Sequence, residues 1–195
     1  MDYDVLIVGG GMVGATLACA LGGSPLRVAV IERGDPDTTW PRPEHDIRVS
    51  ALTHASMQIF EAVEAWEGMK SRRVAPYQAM HVWDTTGSGA IHFHASDLGE
   101  PNLGHIVENS VILGALRDRM TQLENVELIS ADVISLDRDI DAARLSLADG
   151  RSLKAAMVVG ADGQRSWVRE AAGISVTGWA YDQHALTATV RTFEA

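Results

Sequence analysis

The first 32 residues carry the pattern that most constrains the fold. An apolar run at residues 5–8 leads into the glycine motif GGGMVG at 9–14 and then into a helix-forming stretch at 15–21. A second apolar run at 28–31 follows and ends in Glu32. A strand, a glycine turn, a helix and a second strand ending in an acid make a βαβ unit that binds a dinucleotide.

Each glycine of this motif has its own physical role. Gly9 permits a tight turn, and Gly11 has no side chain to keep a pyrophosphate away from the backbone. Gly14 lets the helix lie close to the strand. We therefore expect a pyrophosphate at the start of the helix, where unpaired amides and the positive end of the helix dipole favour an anion.

Four more residues of the unit belong to the predicted cofactor site. Met12 and Val13 begin the helix, so their amides are expected at the pyrophosphate. Glu32 would accept hydrogen bonds from ribose hydroxyls and repel a 2′-phosphate, and Arg33 follows it. The unit does not distinguish FAD from NAD. The alternative is a glycine turn in an α/β domain that binds nothing.

Composition excludes several classes of protein. With 195 residues, 46% hydrophobic and 22% charged, the chain has the makeup of a globular protein with a real core. A net charge of −10 argues against nucleic acid as a partner. The single cysteine, Cys19, forbids an internal disulfide, and neither a signal peptide nor a membrane span is expected. We therefore predict a cytoplasmic protein.

Hydrophobic periodicity predicts the remaining elements. Residues 34–47, rich in proline and acids, are expected to form a surface excursion. Helices are predicted at 50–69 and at 109–123, the second capped by Asn109 or Ser110. Strands are predicted at 77–83, 90–94, 126–129, 133–136, 144–147 and 152–159.

A second informative stretch follows the last of these strands. Gly160-Ala161-Asp162-Gly163 leads to Ser166, which is expected to start a short helix. We predict that this loop faces the cofactor at the same sheet edge as the glycine motif, with Asp162 orienting ribose or pyrophosphate and Gly163 allowing close approach. The alternative is a structural Asp-Gly turn that caps the helix.

The motifs at 9–14 and 160–169 together resemble the flavoprotein aromatic hydroxylases of the p-hydroxybenzoate hydroxylase type. Within that family, RVSAL at 48–52 and GHIVEN at 104–109 resemble the ubiquinone-biosynthesis branch. Members of this branch are monooxygenases that hydroxylate the ring of a polyprenylated quinone precursor. The resemblance runs from residue 4 to about 191.

The resemblance implies FAD as cofactor and NAD(P)H as co-substrate. It places the residue matching Arg48 at the FAD pyrophosphate, the one matching Asn109 at the flavin side and Val133 at the adenine, and it associates Asp162 and Gly163 with both FAD and NAD(P)H. The alternatives are a solvated loop arginine for Arg48 and a helix cap for Asn109. Because the flavin carries the chemistry, no side chain is assigned as catalytic.

The resemblance also implies a partner class. The substrate would be a polyprenyl phenol, and association with a quinone-synthesis complex and peripheral attachment at the inner membrane are hypotheses from the family's chemistry. Two other functions stay open, another FAD or NAD oxidoreductase and a noncatalytic assembly partner in that complex. His92 and His94 lack a third ligand in the sequence, so no metal is expected.

The expected fold class is α/β, a Rossmann-like FAD-binding domain with a β-rich insertion that begins the substrate domain. The FAD-binding domain is predicted at 1–75 and 105–178, the insertion at 76–104 and the start of a substrate-domain sheet at 179–195. Family members are about twice this long and carry a Gly-Asp-Ala-Ala-His-like motif that this sequence lacks. We therefore expect a truncated chain, inactive alone, that ends in a strand near 185–193.

Overall fold

The computed structural model describes residues 1–34 and 37–191. Within them the chain forms β1 (Tyr3–Val8), α1 (Met12–Ala20), β2 (Val28–Glu32), β3 (Val49–Leu52), α2 (His54–Ala62), α3 (Trp66–Lys70), β4 (Val74–Tyr77), β5 (Ala79–Trp83), β6 (Ala90–His94), β7 (Gly104–Glu108), α4 (Asn109–Met120), β8 (Val126–Ser130), β9 (Val133–Arg138), β10 (Ala143–Leu147), β11 (Ser152–Gly160) and α5 (Trp167–Ala171).

The main sheet has six strands in the order β8-β2-β1-β11-β10-β9. Strands β8, β2, β1 and β11 run parallel, and β9 to β11 form an antiparallel meander at one edge. From β1 the chain crosses through α1 to β2 on one side, whereas β11 joins β1 on the other. The predicted α/β fold with a Rossmann-like βαβ unit is confirmed.

Residues 5–8 of β1 and 28–31 of β2 are continuous apolar runs because both faces of the sheet are covered there. On one face Ile7 and Val30 pack in a cluster with α1 and α4. On the other face Leu6 packs in a second cluster with Leu145 of β10 and Val168 of α5. The sheet therefore has helices on both sides, and its carboxyl edge is where the connecting loops gather.

Two smaller sheets are formed by segments that lie between β2 and β8 in the sequence. Strands β3, β7 and β4 form an antiparallel sheet, and β5 and β6 form the hairpin that the sequence predicts. Every residue of the hairpin strands is exposed. The division into domains, with an insertion at 76–104, stays a prediction.

The single helix predicted at 50–69 is wrong. Residues 49–52 instead pair with β7 as β3, and Thr53 then caps α2 by accepting a hydrogen bond from the Ser56 amide. A residue with positive φ, Glu64 at 60°, separates α2 from α3. The apolar spacing of 50–69 suits a helix, but pairing of β3 with β7 and the left-handed turn interrupt it.

The helix predicted at 109–123 is confirmed as α4, although it ends at Met120 and its predicted cap is wrong. Glu108 is the N-cap residue, and its side chain makes no capping bond. Asn109 is already helical, and its side-chain oxygen accepts a hydrogen bond from Ser50 at 2.7 Å. Asp46, far away in sequence, accepts from the Ser110 amide at 3.4 Å.

The strand predicted near 185–193 is also wrong as far as the described residues extend. Residues 185–191 are exposed and lie in no strand, because a strand needs a partner for its backbone groups and no strand of the described chain pairs with them. Residues 192–193 lie outside the described residues. Over residues 1–34 and 37–191, the helices lack the length and apolar character that crossing a membrane requires.

We expect Leu116→Ala to lower the free energy of unfolding by about 2–5 kcal/mol, because Leu116 has no exposed surface in the α1–α4 cluster and its loss leaves a cavity. The matched variant Leu186→Ala, at a side chain that is 95% exposed, should change it by less than about 0.5 kcal/mol. Urea denaturation followed by circular dichroism measures both. Equal effects would contradict the described core.

Candidate functional site

A cleft of about 370 Å³ opens at the carboxyl edge of the main sheet. It lies where the loops after β1, β2, β8 and β11 meet, which is where open α/β sheets bind their ligands. Its volume is in the range of small-molecule sites, about 300–1,000 Å³. The lining residues are Val8, Gly9, Gly11, Ile31, Glu32, Arg33, Ala131, Asp132, Val133, Ala161, Asp162, Gly163 and Trp167.

Two glycines of the first motif are required by close backbone contacts. Gly9 has a φ of 103°, and a β-carbon there would lie 2.4 Å from the carbonyl oxygen of Ala161. A β-carbon on Gly14 would lie 1.9 Å from the carbonyl oxygen of Gly9. Gly11 differs from both, because a β-carbon there meets nothing within 4 Å. The space beside Gly11 is therefore open on the cleft side of the turn.

The start of α1 is free to receive an anion. Gly11 is its N-cap residue and can offer no side-chain cap, and the first turn, which includes Met12 and Val13, has no acidic residue. The first amides of a helix have no partner within the helix, so an external group must satisfy them. The positive end of the dipole of this nine-residue helix favours a negatively charged group there.

Glu32 and Arg33 form the polar rim of the cleft at the end of β2. The Glu32 carboxylate accepts hydrogen bonds from the Gly10 amide at 2.6 Å and from the Gly34 amide at 3.3 Å. A carboxylate has about four acceptor positions, so Glu32 can hold the glycine turn and still accept from a hydroxyl. Arg33 lies 3.6 Å from the carboxylate of Asp132 in an exposed ion pair.

The Asp-Gly loop lies beside the glycine turn, as its position after β11 predicts. Gly160 is opposite Val8 in the parallel pair of β1 and β11, and the Ala161 amide donates to the Val8 carbonyl at 2.7 Å. Gly163 has a φ of 88° and nothing near its missing side chain. The two loops are therefore in direct contact, and both line the cleft.

The Asp162 carboxylate contacts α5. It accepts hydrogen bonds from Ser166 Oγ at 2.5 Å and from the Val168 amide at 3.1 Å. Burial raises the pKa of Asp162, but the hydrogen bonds from Ser166 and from the amides of Val168 and Trp167 outweigh it and hold the pKa below its ordinary value of 3.8. These contacts favour the alternative in which the Asp-Gly turn caps the helix.

Arg48 and Asn109 come together in a second group. The Asn109 amide donates to the Arg48 carbonyl at 2.9 Å, because β3 and β7 are paired just before α4. Among the described residues, neither belongs to the lining of the cleft, and the same holds for Met12, Val13 and Gly14. The other seven predicted site residues, Gly9, Gly11, Glu32, Arg33, Val133, Asp162 and Gly163, do line it.

Sequence reasoning assigned no site role to six lining residues, Val8, Ile31, Ala131, Asp132, Ala161 and Trp167. Ala131 and Asp132 follow β8, and their place beside Glu32 depends on the parallel pairing of β8 with β2. A signal for Trp167 was present, because a large aromatic residue directly follows the Ser166 that begins the helix. Whether this tryptophan reaches the cleft depends on where α5 lies, which the sequence alone does not show.

The hairpin histidines have contacts of their own. His92 stacks on His81 across the hairpin with ring centroids 3.8 Å apart, and His94 Nδ1 lies 2.8 Å from Ser96 Oγ. Over the part of the chain that the structure describes, no three metal-ligating side chains come together.

A buried carboxylate anchors the segment that carries Arg48. Glu108 is only 5% exposed and accepts hydrogen bonds from the Asp46 amide at 2.8 Å and from Arg73 at 2.8 Å, with His45 Nδ1 at 3.2 Å. The Asp46 carboxylate in turn accepts from the Arg48 amide at 3.1 Å. The Glu108 contacts thus tie residues 45–48 to the start of α4.

Comparison with known protein families gives one match over nearly the whole chain. A family described as an FAD binding domain matches residues 2–194. The chain is also similar to the 3-demethoxyubiquinol 3-hydroxylase of Escherichia coli, with 34% identity over 96% of this chain and 48% of that protein. The chain is similar to the ubiquinone hydroxylase UbiL of Rhodospirillum rubrum as well, with 36% identity over 96% of this chain and 43% of that protein.

Comparison with solved structures gives a result that is consistent with the family match. A probable FAD-dependent monooxygenase from Pseudomonas aeruginosa, PqsL, matches with a TM-score of 0.73 and 26% identity. The match covers 92% of this chain and 48% of that one. The chain spans about half the length, or less, of the curated relatives that it matches.

We expect Glu108→Gln to lower the free energy of unfolding at pH 7 by about 2 kcal/mol, because it removes the charge that pairs with Arg73. Burial raises the pKa of Glu108, but its hydrogen bonds from the Asp46 amide, His45 and Arg73 outweigh burial and hold the pKa below its ordinary 4.5. The difference between the two proteins should therefore be constant above pH 4.5 and shrink below it.

Urea denaturation between pH 7 and pH 3.5 measures this difference. The matched variant is Glu124→Gln, at an exposed position, and it should change the free energy of unfolding by less than about 0.5 kcal/mol. A Glu108→Gln difference that stays unchanged below pH 4.5 would contradict the assigned role of the carboxylate.

Proposed function

The chain belongs to the FAD binding domain family, and on that premise we propose that its cleft holds the adenosine diphosphate half of FAD. The observation that carries the proposal is the uncapped start of α1 beside the open space at Gly11, with the Glu32 carboxylate at the next strand end. An anion site and a hydroxyl acceptor at the ends of the neighbouring strands β1 and β2 suit a pyrophosphate joined to a ribose.

The pyrophosphate is assigned to the turn between β1 and α1. Gly11 leaves room for its oxygens, and Met12 and Val13 present the first amides of the helix. Gly9 and Gly14 take no part in contacts with the ligand in this proposal. They hold the turn in shape, because a side chain at either position would collide with backbone.

The ribose is assigned to Glu32 and the adenine to the space beside Val133. Glu32 keeps free acceptor positions for the ribose hydroxyls while it holds the Gly10 amide. Asp132 adds a second carboxylate to this rim, with Arg33 beside it. The acids disfavour a 2′-phosphate, which fits the adenosine of FAD better than that of a phosphorylated dinucleotide.

The part of FAD from the pyrophosphate to the flavin is assigned to the second group of residues, Arg48 and Asn109. In this proposal Arg48 faces the pyrophosphate and Asn109 faces the flavin side, while Asp162 and Gly163 border the cofactor and NAD(P)H. The support is the backbone pairing that joins Arg48 to Asn109 and the anchor at Glu108 that holds the arginine's segment. Asp162 acts through backbone and position, since its carboxylate contacts α5.

For the whole protein we propose an FAD-dependent monooxygenase that hydroxylates the aromatic ring of a polyprenylated ubiquinone precursor with NAD(P)H and O2. The support is similarity to enzymes named as ubiquinone-pathway hydroxylases. Bound FAD supplies the redox chemistry, and the residues of this chain bind and orient it. Membership of a quinone-synthesis complex and peripheral attachment to the inner membrane belong to the same proposal, as does the division into domains.

We expect Gly11→Asp to raise the dissociation constants of FAD and of ADP by about 100-fold, because it adds a negative charge at the pyrophosphate. The side chain points into open space, so the protein should still fold. Titration followed by flavin fluorescence measures FAD binding, and calorimetry measures ADP binding.

The matched variant is Gly178→Asp, at an exposed glycine that also has nothing within 4 Å. It should bind both ligands like the unchanged chain. Absence of ADP binding by the unchanged chain, or equal binding by the Gly11→Asp variant, would overturn the proposed function.

A further inference from the structure

We infer that Trp167 is a ligand-binding residue whose indole forms an aromatic wall for the adenine ring. This inference rests on the proposed function and extends it to a residue that had no predicted site role. Trp167 lines the same cleft as Gly11, Glu32 and Val133. It is half-buried, so one part of its indole contacts protein while another part faces the cleft.

The adenine end of the cleft follows from the order of the strands. The glycine turn lies at β1, the ribose acceptor Glu32 at the end of β2, and Ala131 to Val133 after β8, the next strand outward. A ligand whose pyrophosphate is at the turn and whose ribose is at Glu32 therefore has its base beyond β2.

Trp167 reaches this end through the start of β9. Strand β9 is at the far edge of the sheet from β8, but Val133 begins it only three residues after β8 ends at Ser130, so the start of β9 lies beside the end of β8. Helix α5 packs on β9, and Val133 and Trp167 pack against the same hydrophobic cluster. The two side chains thus give the cleft an apolar part, in addition to the polar rim of Glu32, Arg33 and Asp132. A flat aromatic base suits the apolar side, whereas the ribose hydroxyls suit the polar rim.

The backbone on both sides of Trp167 is held in place. On one side Ser166 donates to Asp162 and accepts from the Arg169 amide as the N-cap of α5. On the other side Val168 is 8% exposed and packs so closely on β11 that a β-carbon at Gly160 would lie 2.9 Å from its own β-carbon. Asp162 thereby acts as a positioning residue for the indole.

The structure gives Trp167 a different setting from the exposed tryptophans. Trp83 lies on the hairpin and Trp179 in the segment after α5, at 63% and 73% exposure, and neither lines the cleft among the described residues. They provide internal controls, because a change there alters tryptophan content without touching the proposed site.

The test compares Trp167→Ala, Trp167→Phe and the matched control Trp179→Phe in the whole 195-residue chain. Stacking on an aromatic side chain gives about 1–3 kcal/mol per base, so Trp167→Ala should raise the dissociation constants of ADP and FAD by the same factor, about 5- to 150-fold. Trp167→Phe keeps an aromatic face and should restore most of the affinity. Trp179→Phe should bind like the unchanged chain.

Tryptophan emission during the ADP titration gives a second readout. ADP does not absorb the light that an indole emits, so it quenches only an indole that it contacts. We expect quenching in the unchanged chain and in Trp179→Phe, and none in Trp167→Phe although that variant still binds. If Trp167 had a purely structural role, its replacement by Phe would not abolish the quenching of tryptophan emission by ADP.

The outcomes separate the two proposals. Normal ADP affinity in Trp167→Ala, or quenching that persists in Trp167→Phe, would overturn the inference and leave the proposed function standing. If Trp167→Ala fails to fold, the quenching comparison with Trp167→Phe decides alone. If the unchanged chain binds neither ADP nor FAD, the proposed function and the inference that rests on it are both overturned.

Discussion

Close backbone packing at one turn is the constraint on which the rest of this structure depends. The carbonyl oxygen of Gly9 lies where a side chain on Gly14 would be, and the carbonyl of Ala161 lies where one on Gly9 would be. Three elements, β1, α1 and the loop after β11, therefore meet without intervening side chains. This contact brings the turn before α1 and the Asp-Gly loop into the lining of one cleft.

The cleft divides into surfaces that suit different parts of one ligand. The uncapped start of α1 suits an anion, the rim at Glu32 suits hydroxyl groups, and the wall of Val133 and Trp167 suits a base. In the proposed arrangement the pyrophosphate binds at the first amides of α1, while the Glu32 carboxylate accepts from the Gly10 amide and faces the ribose. This proposal makes local geometry decisive for binding in a chain with a net charge of −10.

Local patterns predicted much of this arrangement, and nonlocal contacts account for what they missed. The βαβ unit, the hairpin and the separate strands of the meander follow from apolar runs, alternation and glycine turns, which are patterns between residues close together in the sequence. The helix predicted at 50–69 failed because β3 pairs with β7, some 55 residues away. Trp167 was given no site role from the sequence, because only the position of α5 against β9 brings it to the cleft.

Amide proton and nitrogen chemical shifts during an ADP titration test the central claim most directly, because they report contact residue by residue. Our account predicts the largest shifts at residues 9–14, 32–33, 131–133 and 161–167, with little change in the hairpin at 79–94. Shifts concentrated in the hairpin, or spread evenly over the chain, would contradict the assignment of the cleft at the carboxyl edge of the main sheet.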